Sequence, residues 1–396
     1  MEQPIAVIFH RLGPYHCARL RALAASGPAV AIEVVRKDTT NLWNVIDDPP
    51  GFRRLRLFPE LNGGLAPVRE LRRRLYGCLQ RERPGAVAVP GWSAPYALLA
   101  LSWCLRTGTP AVLMSESTPL DRRAALHTDV VKRRLLRLYA AAVVGGAPQA
   151  EYLRQLGFPT SAVFLGYDVV DNAHFEWSQR GTGTEPANRR SFLVCCRFVP
   201  VKNLERLLAA YARYRQLAGK EAWELVVVGD GPQRSRLLRL SRELELDGCV
   251  RFPGSIQYDD LPAIYGQAGA FLLPSVSEPW GLVVNEAMAA GLPVLVSNRC
   301  GCAPDLVEEG GNGFTFDPYD VVGLARLMFR ISAMSEDQRQ AMGRRSREII
   351  RHWGPERFAE GMRKAVETAL SAPRPRARLL DKALLWALIH RPRAFR

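Results

Sequence analysis

Along almost the whole chain, short apolar runs alternate with stretches in which apolar residues recur every three or four positions. In the first half, Ile5–Phe9, Val30–Val35, Val87–Val89, Ala111–Met114, Ala142–Val144 and Ala162–Leu165 predict strands. Between them Tyr15–Ala25, Val68–Arg81 and Val130–Tyr139 predict helices. The alternation lapses over Val169–Gly183, where a polar, Gly- and Thr-rich stretch without period predicts a linker over residues 171–190. It then resumes with strands at Phe192–Cys195, Leu225–Val228, Val250–Phe252, Ala270–Leu273 and Pro293–Val296. After the first of these, Asn203 is a good N-cap residue, and Leu204, Leu207, Leu208 and Tyr211 place apolar groups on one helical face. Helices at Asp337–His352 and Glu356–Leu370 follow.

Strand–helix alternation of this kind builds parallel sheets covered by helices on both faces. The expected architecture is α/β: two Rossmann-like, doubly wound domains at residues 1–170 and 191–372 facing a central cleft, with the last helix packing back on the first domain. Length agrees, since 396 residues exceed one ordinary core. In such sheets ligands bind beyond the carboxyl ends of the strands, so chemistry is expected in the loops there.

Charge narrows the picture less. The net charge of +15 comes mostly from arginine and suits nucleic acid, an anionic membrane surface or a small polyanion alike. The arginines gather at Arg53–Arg56, at Arg69–Arg83 and in a tail at 373–396, on amphipathic rather than aromatic-interleaved stretches. That pattern argues against a nucleic-acid partner. In the tail, Leu379, Leu380, Ala383, Leu384, Ala387 and Leu388 share one helical face flanked by basic residues. Three readings stand: a helix docked on the first domain, a frayed tail, or an interfacial helix on an anionic leaflet.

Eight scattered cysteines, without CxxC spacing or a histidine cluster, read as reduced and buried rather than as zinc ligands. The N-terminal residues run directly into a strand with no signal-peptide pattern, and no apolar run approaches the roughly 18 residues that span a bilayer. The expected location is cytoplasmic, with peripheral contact to the inner membrane face if the tail is interfacial.

The most specific segment is Ser275-Val-Ser-Glu278-Pro-Trp280-Gly281-Leu282-Val-Val-Asn-Glu286-Ala-Met-Ala-Ala-Gly291. A strand ends, a loop carries Glu278, Gly281 permits a tight turn, and a helix begins near Leu282 with free amides suited to phosphate. Gly291 closes that helix. A second segment, Arg197-Phe-Val-Pro-Val-Lys202-Asn203, follows the resumed alternation's first strand and offers a guanidinium fork and a point charge to a diphosphate. Fixed cations there stabilise charge that grows on a leaving diphosphate.

The Glu278/Glu286 pair, E-x7-E, closely resembles the donor site of the family 4 glycosyltransferases, and the second segment resembles their R-x4-K-N element. The resemblance implies a GT-B fold and retaining transfer of a hexosyl unit from a UDP- or GDP-sugar. The acceptor it implies is a glycan or a lipid-linked sugar in cell-envelope polysaccharide or glycolipid synthesis. It implies that Glu286 binds the ribose hydroxyls and that Glu278, with the backbone of Trp280 to Leu282, holds sugar and diphosphate. The turn Gly229-Asp230-Gly231-Pro232 and the loop around Ile256 also look like the family, the latter lying against the base. On the N-terminal side the resemblance puts Gly13 against the diphosphate, although this loop has a single glycine. Where many members carry a sugar-holding histidine, this chain has Glu116, able to accept sugar hydroxyls or to engage the acceptor. With no D-x-D in the sequence, Arg197 and Lys202 are expected to replace a metal, and no cofactor is expected. Other readings are a catalytically silent nucleotide-sugar binder and a nucleotide-sugar epimerase.

Overall fold

The computed structural model describes residues 3–37, 44, 46, 51–62, 66–119, 126–176 and 189–390. They form two compact units, Met1–Val169 with Pro355–Arg396, and Val170–Gly354.

The first unit runs β1 (Ile5–Phe9), α1 (Pro14–Ala25), β2 (Ala29–Lys37), β3 (Arg53–Asn62), α2 (Val68–Glu82), β4 (Ala86–Pro90), α3 (Pro95–Thr107), β5 (Ala111–Ser115), α4 (Leu126–Leu136), β6 (Ala141–Val144), α5 (Ala147–Gln155) and β7 (Val163–Leu165). Its sheet has the order β3-β2-β1-β4-β5-β6-β7, and every pairing is parallel. Helices on both faces explain why β1, β5 and β6 are buried at every position and apolar at all but Ser115: neither face meets water.

The arginine cluster at Arg53–Arg56 lies in strand β3, and while Arg53 is exposed, Arg54 and Arg56 turn inward. Arg54 Nη2 and Arg56 Nε lie 2.6 and 2.7 Å from Oε2 of buried Glu33 on β2, whose Oε1 accepts the Leu12 N–H at 2.8 Å. Two of the arginines counted as surface charge therefore brace the loop that follows β1.

The second unit runs α6 (Asn172–Phe175), β8 (Ser191–Cys195), α7 (Leu204–Ala218), β9 (Glu224–Val228), α8 (Arg234–Glu243), β10 (Val250–Gly254), α9 (Leu261–Gly266), β11 (Ala270–Leu273), α10 (Leu282–Ala289), β12 (Val294–Ser297), α11 (Ala303–Leu306), β13 (Gly313–Phe316), α12 (Val321–Ser332) and α13 (Glu336–Ile350). Its parallel sheet has the order β10-β9-β8-β11-β12-β13. The predicted face of α7, Leu204, Leu207, Leu208 and Tyr211, is buried in the core of this unit.

The start of the expected linker is built structure. Asp171 Oδ1 caps α6 by accepting the His174 N–H, and Phe175 is fully buried edge-on to Tyr258 and Tyr265. Burying one such ring is worth about 2–3 kcal/mol, enough to dock a single turn of helix. The rest of the expected linker, residues 177–188, lies outside the described residues.

The second unit ends at Gly354 rather than near 372, because α14 (Pro355–Ser371) belongs to the first. Its buried stripe of Phe358, Ala359, Met362, Ala365, Val366 and Ala369 packs on α1 and over β6 and β7. Gly361 makes the approach possible: a Cβ there would sit 2.4 Å from the Leu165 carbonyl oxygen. The final helix α15 (Leu379–His390) docks on α3 through Leu385, Leu388 and Ile389, while Arg134 Nε donates to Asp381 Oδ1 at 2.6 Å. Only part of the predicted stripe is used, since Leu379 and Leu380 are exposed. Residues 391–396 of the tail lie outside the described residues.

Candidate functional site

The strand order of the second sheet reverses between β8 and β11, and the crevice beyond their carboxyl ends is where a doubly wound sheet binds its ligand. The two sequence motifs enter from its two sides. Beyond β8, the loop Cys196–Val199 and a 3-10 turn, Pro200–Lys202, lead into α7. Beyond β11 lies the loop with Ser275 and Glu278, leading into α10.

Asn203 joins the two. It precedes α7 with φ at +58°, and its side chain does not cap the helix as the sequence suggested. Its Nδ2 donates to the carbonyls of Pro274 (3.1 Å) and Pro318 (2.8 Å), and the Val276 N–H donates to Val201 O at 2.9 Å. An amide side chain serves here because two buried carbonyls from different loops need donors, and helix capping is the weaker use of it.

With the loops tied, Lys202 Nζ donates to Glu278 Oε2, which also accepts the Ser275 hydroxyl at 3.1 Å. The Glu278 backbone is fixed to the loop after β12 by its N–H to Arg299 O (3.1 Å) and by Gly301 N–H to its own carbonyl (2.9 Å). Both charged side chains stay partly open to solvent, Lys202 at 18% and Glu278 at 16%, so a ligand can reach them. Arg197 is exposed on the same loop as Lys202.

The Gly-rich turn holds that loop in place. Phe198 N–H donates to Asp230 O (2.8 Å), Cys196 N–H to Val228 O (3.0 Å), and Gly229 N–H to Gly254 O (2.8 Å). Gly229 has φ +130°, and a Cβ there would fall 1.9 Å from Cys196 O, so only glycine lets these backbones touch. The Gly229–Gly254 bond also places the half-buried Ile256, two residues further on.

Gly281, at φ +107°, turns the chain into α10; a Cβ would meet Leu273 Cδ2 at 2.8 Å. Leu282 begins the helix half-buried, and in its first turn the Val284 N–H donates to Gly281 O at 2.8 Å, leaving the Leu282 and Val283 amides without an intrahelical carbonyl to meet. Trp280 is buried, its indole N–H donating to Asn285 Oδ1 at 2.9 Å and its ring tilted against Trp353, so its side chain is structural and only its backbone is available. Glu286 is 1% exposed, with Oε2 accepting the Tyr265 hydroxyl at 2.6 Å. Tyr265 and Ser275 were not singled out from the sequence. Ser275 lay inside the quoted segment, whereas nothing local marks Tyr265.

The remaining predicted residues belong to the first unit. Gly13 precedes α1 in extended conformation, and its N–H donates to His16 Nδ1 at 3.0 Å. The Gly13 amide, at a residue expected against a diphosphate, is therefore already bonded. Burial, helped by Arg19 and Arg11, pushes His16 down to about 3, which keeps the ring neutral and able to accept. Glu116 is exposed just beyond β5, near enough to Asp168 for its charge to act on that carboxyl. Asp168 is completely buried, which drives its carboxyl well above the usual range, and the neighbouring Glu116 charge adds to this; Arg19, 3.9 Å away, opposes it. Asp168 gave no signal in the sequence, sitting in the apolar stretch Gly166–Val170.

Among the described residues no three His, Cys, Asp or Glu side chains gather as a metal site. All eight cysteines are free, and those beside the crevice, Cys195, Cys300 and Cys302, are pushed well up by burial.

Residues 175–349 match the family model described as glycosyl transferases group 1. The chain is 27% identical to glycogen synthase from Mycobacterium tuberculosis over 263 residues, 64% of this chain and 62% of that protein. It thus spans less than two thirds of the length of that relative. Sucrose-phosphate synthase from Thermosynechococcus elongatus superposes with a TM-score of 0.74 at 22% identity, covering 91% of this chain and 98% of that one. Alr3699/HepE from Anabaena, solved in complex with UDP-glucose, gives 0.68 at 17% identity, covering 92% and 99%. The fold they share with this chain, two doubly wound parallel-sheet domains, is GT-B.

Proposed function

We propose, for a chain whose residues 175–349 match the group 1 glycosyl transferases and whose fold is GT-B, retaining transfer of a hexosyl unit from a UDP- or GDP-sugar to a glycan or lipid-linked acceptor. The observation that carries the reading is the Lys202–Glu278 contact at the switch point of the second sheet, next to the N-terminus of α10. A cation, a carboxylate and the N-terminus of α10 converge where a nucleotide diphosphate sugar presents two phosphates and a ring of hydroxyls. UDP-glucose in the Anabaena neighbour is a donor of this class.

In this reading the α10 amides, Arg197 and Lys202 bind the diphosphate, Glu278 orients the sugar, and Glu286 accepts the ribose hydroxyls with its carboxylate aimed by Tyr265. The bond from the anomeric carbon to the diphosphate oxygen breaks as the acceptor oxygen bonds to that carbon on the same face. The acceptor proton passes to the leaving diphosphate, and the charge that accumulates there is met by Arg197 and Lys202. Preorganised groups of this kind stabilise the transition state more than the ground state. With two cations on the leaving group, transfer proceeds without a metal. Glu116 engages the acceptor or the sugar from the first unit. Placement in cell-envelope polysaccharide or glycolipid synthesis belongs to the same proposal.

The test is a donor screen on the full chain with EDTA present, following thermal shift and slow donor hydrolysis across UDP- and GDP-sugars. One nucleotide sugar should stabilise the protein, and Glu286→Ala and Arg197→Ala should weaken that shift. Absence of a shift with every nucleotide sugar, or a shift that both variants retain, overturns the reading.

A further inference from the structure

The arginines of α2 divide into two sets. Arg73 and Arg74 are bound by Glu70 on their own helix, at 2.5 and 2.7 Å, and Arg53 on β3 reaches Glu82 at 3.0 Å. Arg69 and Arg72 have no carboxylate partner among the described residues, and they open on a groove of about 810 Å3 between α2, α3 and the C-terminal segment. Arg106, Arg376 and Lys382 also line it, and no lining residue is acidic. The Arg72 and Arg106 guanidiniums both lie over the Tyr76 ring, at 5.6 and 5.8 Å from its centre, which holds two of the five cations in place.

The walls are apolar: Leu99, Leu105, Leu385 and Ile389. Beside them α15 turns its unused side outward, with Leu379, Leu380 and Trp386 exposed by 84, 67 and 65%. A soluble anion would need the cations alone. Cations set among exposed Leu and Trp match a phosphate whose attached chains also need burial. No helix among the described residues is long and apolar enough to cross a membrane, so such a helix would lie on the surface.

We infer that this groove and the outer face of α15 dock the first unit on an anionic phospholipid surface, the groove taking a lipid phosphate and Leu379, Leu380 and Trp386 entering the headgroup layer. Each cation near an anionic leaflet strengthens binding about fivefold. The surface is separate from the donor residues, so its test does not depend on transfer.

Full-length protein is to be sedimented with phosphatidylglycerol-containing vesicles and with pure phosphatidylcholine vesicles. Retention is expected on the first alone, and it should fall as salt rises. Arg69→Gln/Arg72→Gln/Arg106→Gln should lower vesicle affinity on the order of a hundredfold. Leu379→Ser/Leu380→Ser, which removes no packing, should lower it as well. Unchanged unfolding temperatures and donor-induced shifts in both variants separate failure here from failure of the transferase reading. Retention that neither variant reduces, no retention of the wild type, or competition by inorganic phosphate at the same concentration as lipid phosphate would each overturn the inference.

Discussion

Lys202 and Glu278, 76 residues apart in the chain, meet across the switch point of the second sheet with Ser275 on the same carboxylate oxygen. Each neutralises the other until a ligand competes. Lys202→Met is expected to lower kcat by about a hundredfold or more, the scale for removing one group that meets developing charge. The donor KM should change much less. A mutant that raises KM and leaves kcat intact would show that the lysine only binds ground-state donor.

Tyr265 aims Glu286 through a buried hydrogen bond. Tyr265→Phe should cost about 1–3 kcal/mol in unfolding free energy, because a carboxylate oxygen in a closed site loses its donor. Deoxyribose analogues of the donor nucleotide should bind more weakly than the ribose forms to wild type. In Glu286→Ala that difference should vanish in calorimetry.

Gly229→Ala forces a Cβ into the Cys196 carbonyl at a φ that disfavours any side chain. The expected loss is about 3 kcal/mol, or on the order of 10 °C in the unfolding temperature. Donor affinity should fall with it, since Cys196–Phe198 carries Arg197. An unchanged melting curve would count against the backbone contact.

His16, held near 3 by burial and by Arg19 and Arg11, stays neutral in the folded chain, while in the unfolded chain it titrates near 6.5. Its contribution is present above about pH 6.5 and is lost as pH falls toward about 3, at up to about 1.4 kcal/mol per pH unit. His16→Gln should flatten that acid limb in stability measured against pH.

Burial raises Cys17 and Cys78 to about 11 and Cys196 to about 12, and the thiols of Cys104, Cys195, Cys300 and Cys302 well above their usual range. A disulfide reagent at pH 8 should therefore modify these seven slowly in the native protein and rapidly after denaturation. Fast native labelling of Cys300 or Cys302 would mean that the loop after β12 opens.

Most strands were readable because a parallel sheet covered on both faces needs unbroken apolar runs. β3 was not: its Arg54 and Arg56 alternate with apolar residues, and their partner Glu33 lies on another strand. Lys202, Asn203, Glu278 and Gly281 stand out in the sequence through their resemblance to a donor-site motif, although Asn203 ties two loops instead of capping α7. Their contacts do not, since the Lys202–Glu278 pair exists only once β8 and β11 are neighbours. The packing of α14 back on the first unit was expected, but not that α1, β6 and β7 would be what it covers. For α15, the predicted Leu388 is buried, but Leu385 and Ile389 join it instead of Leu379 and Leu380, with Asp381 turned to Arg134.

The return of α14 to the first unit sets an order of assembly on the ribosome. The second unit is finished at Gly354, whereas the first still lacks the helix that covers α1, β6 and β7. A nascent chain that has reached Gly354 therefore carries a completed second sheet while its first unit exposes apolar surface until α14 follows. Translation that stops just after Gly354 would release a protein with one sound half and one sticky half, a substrate for chaperones and proteases rather than a smaller version of the whole.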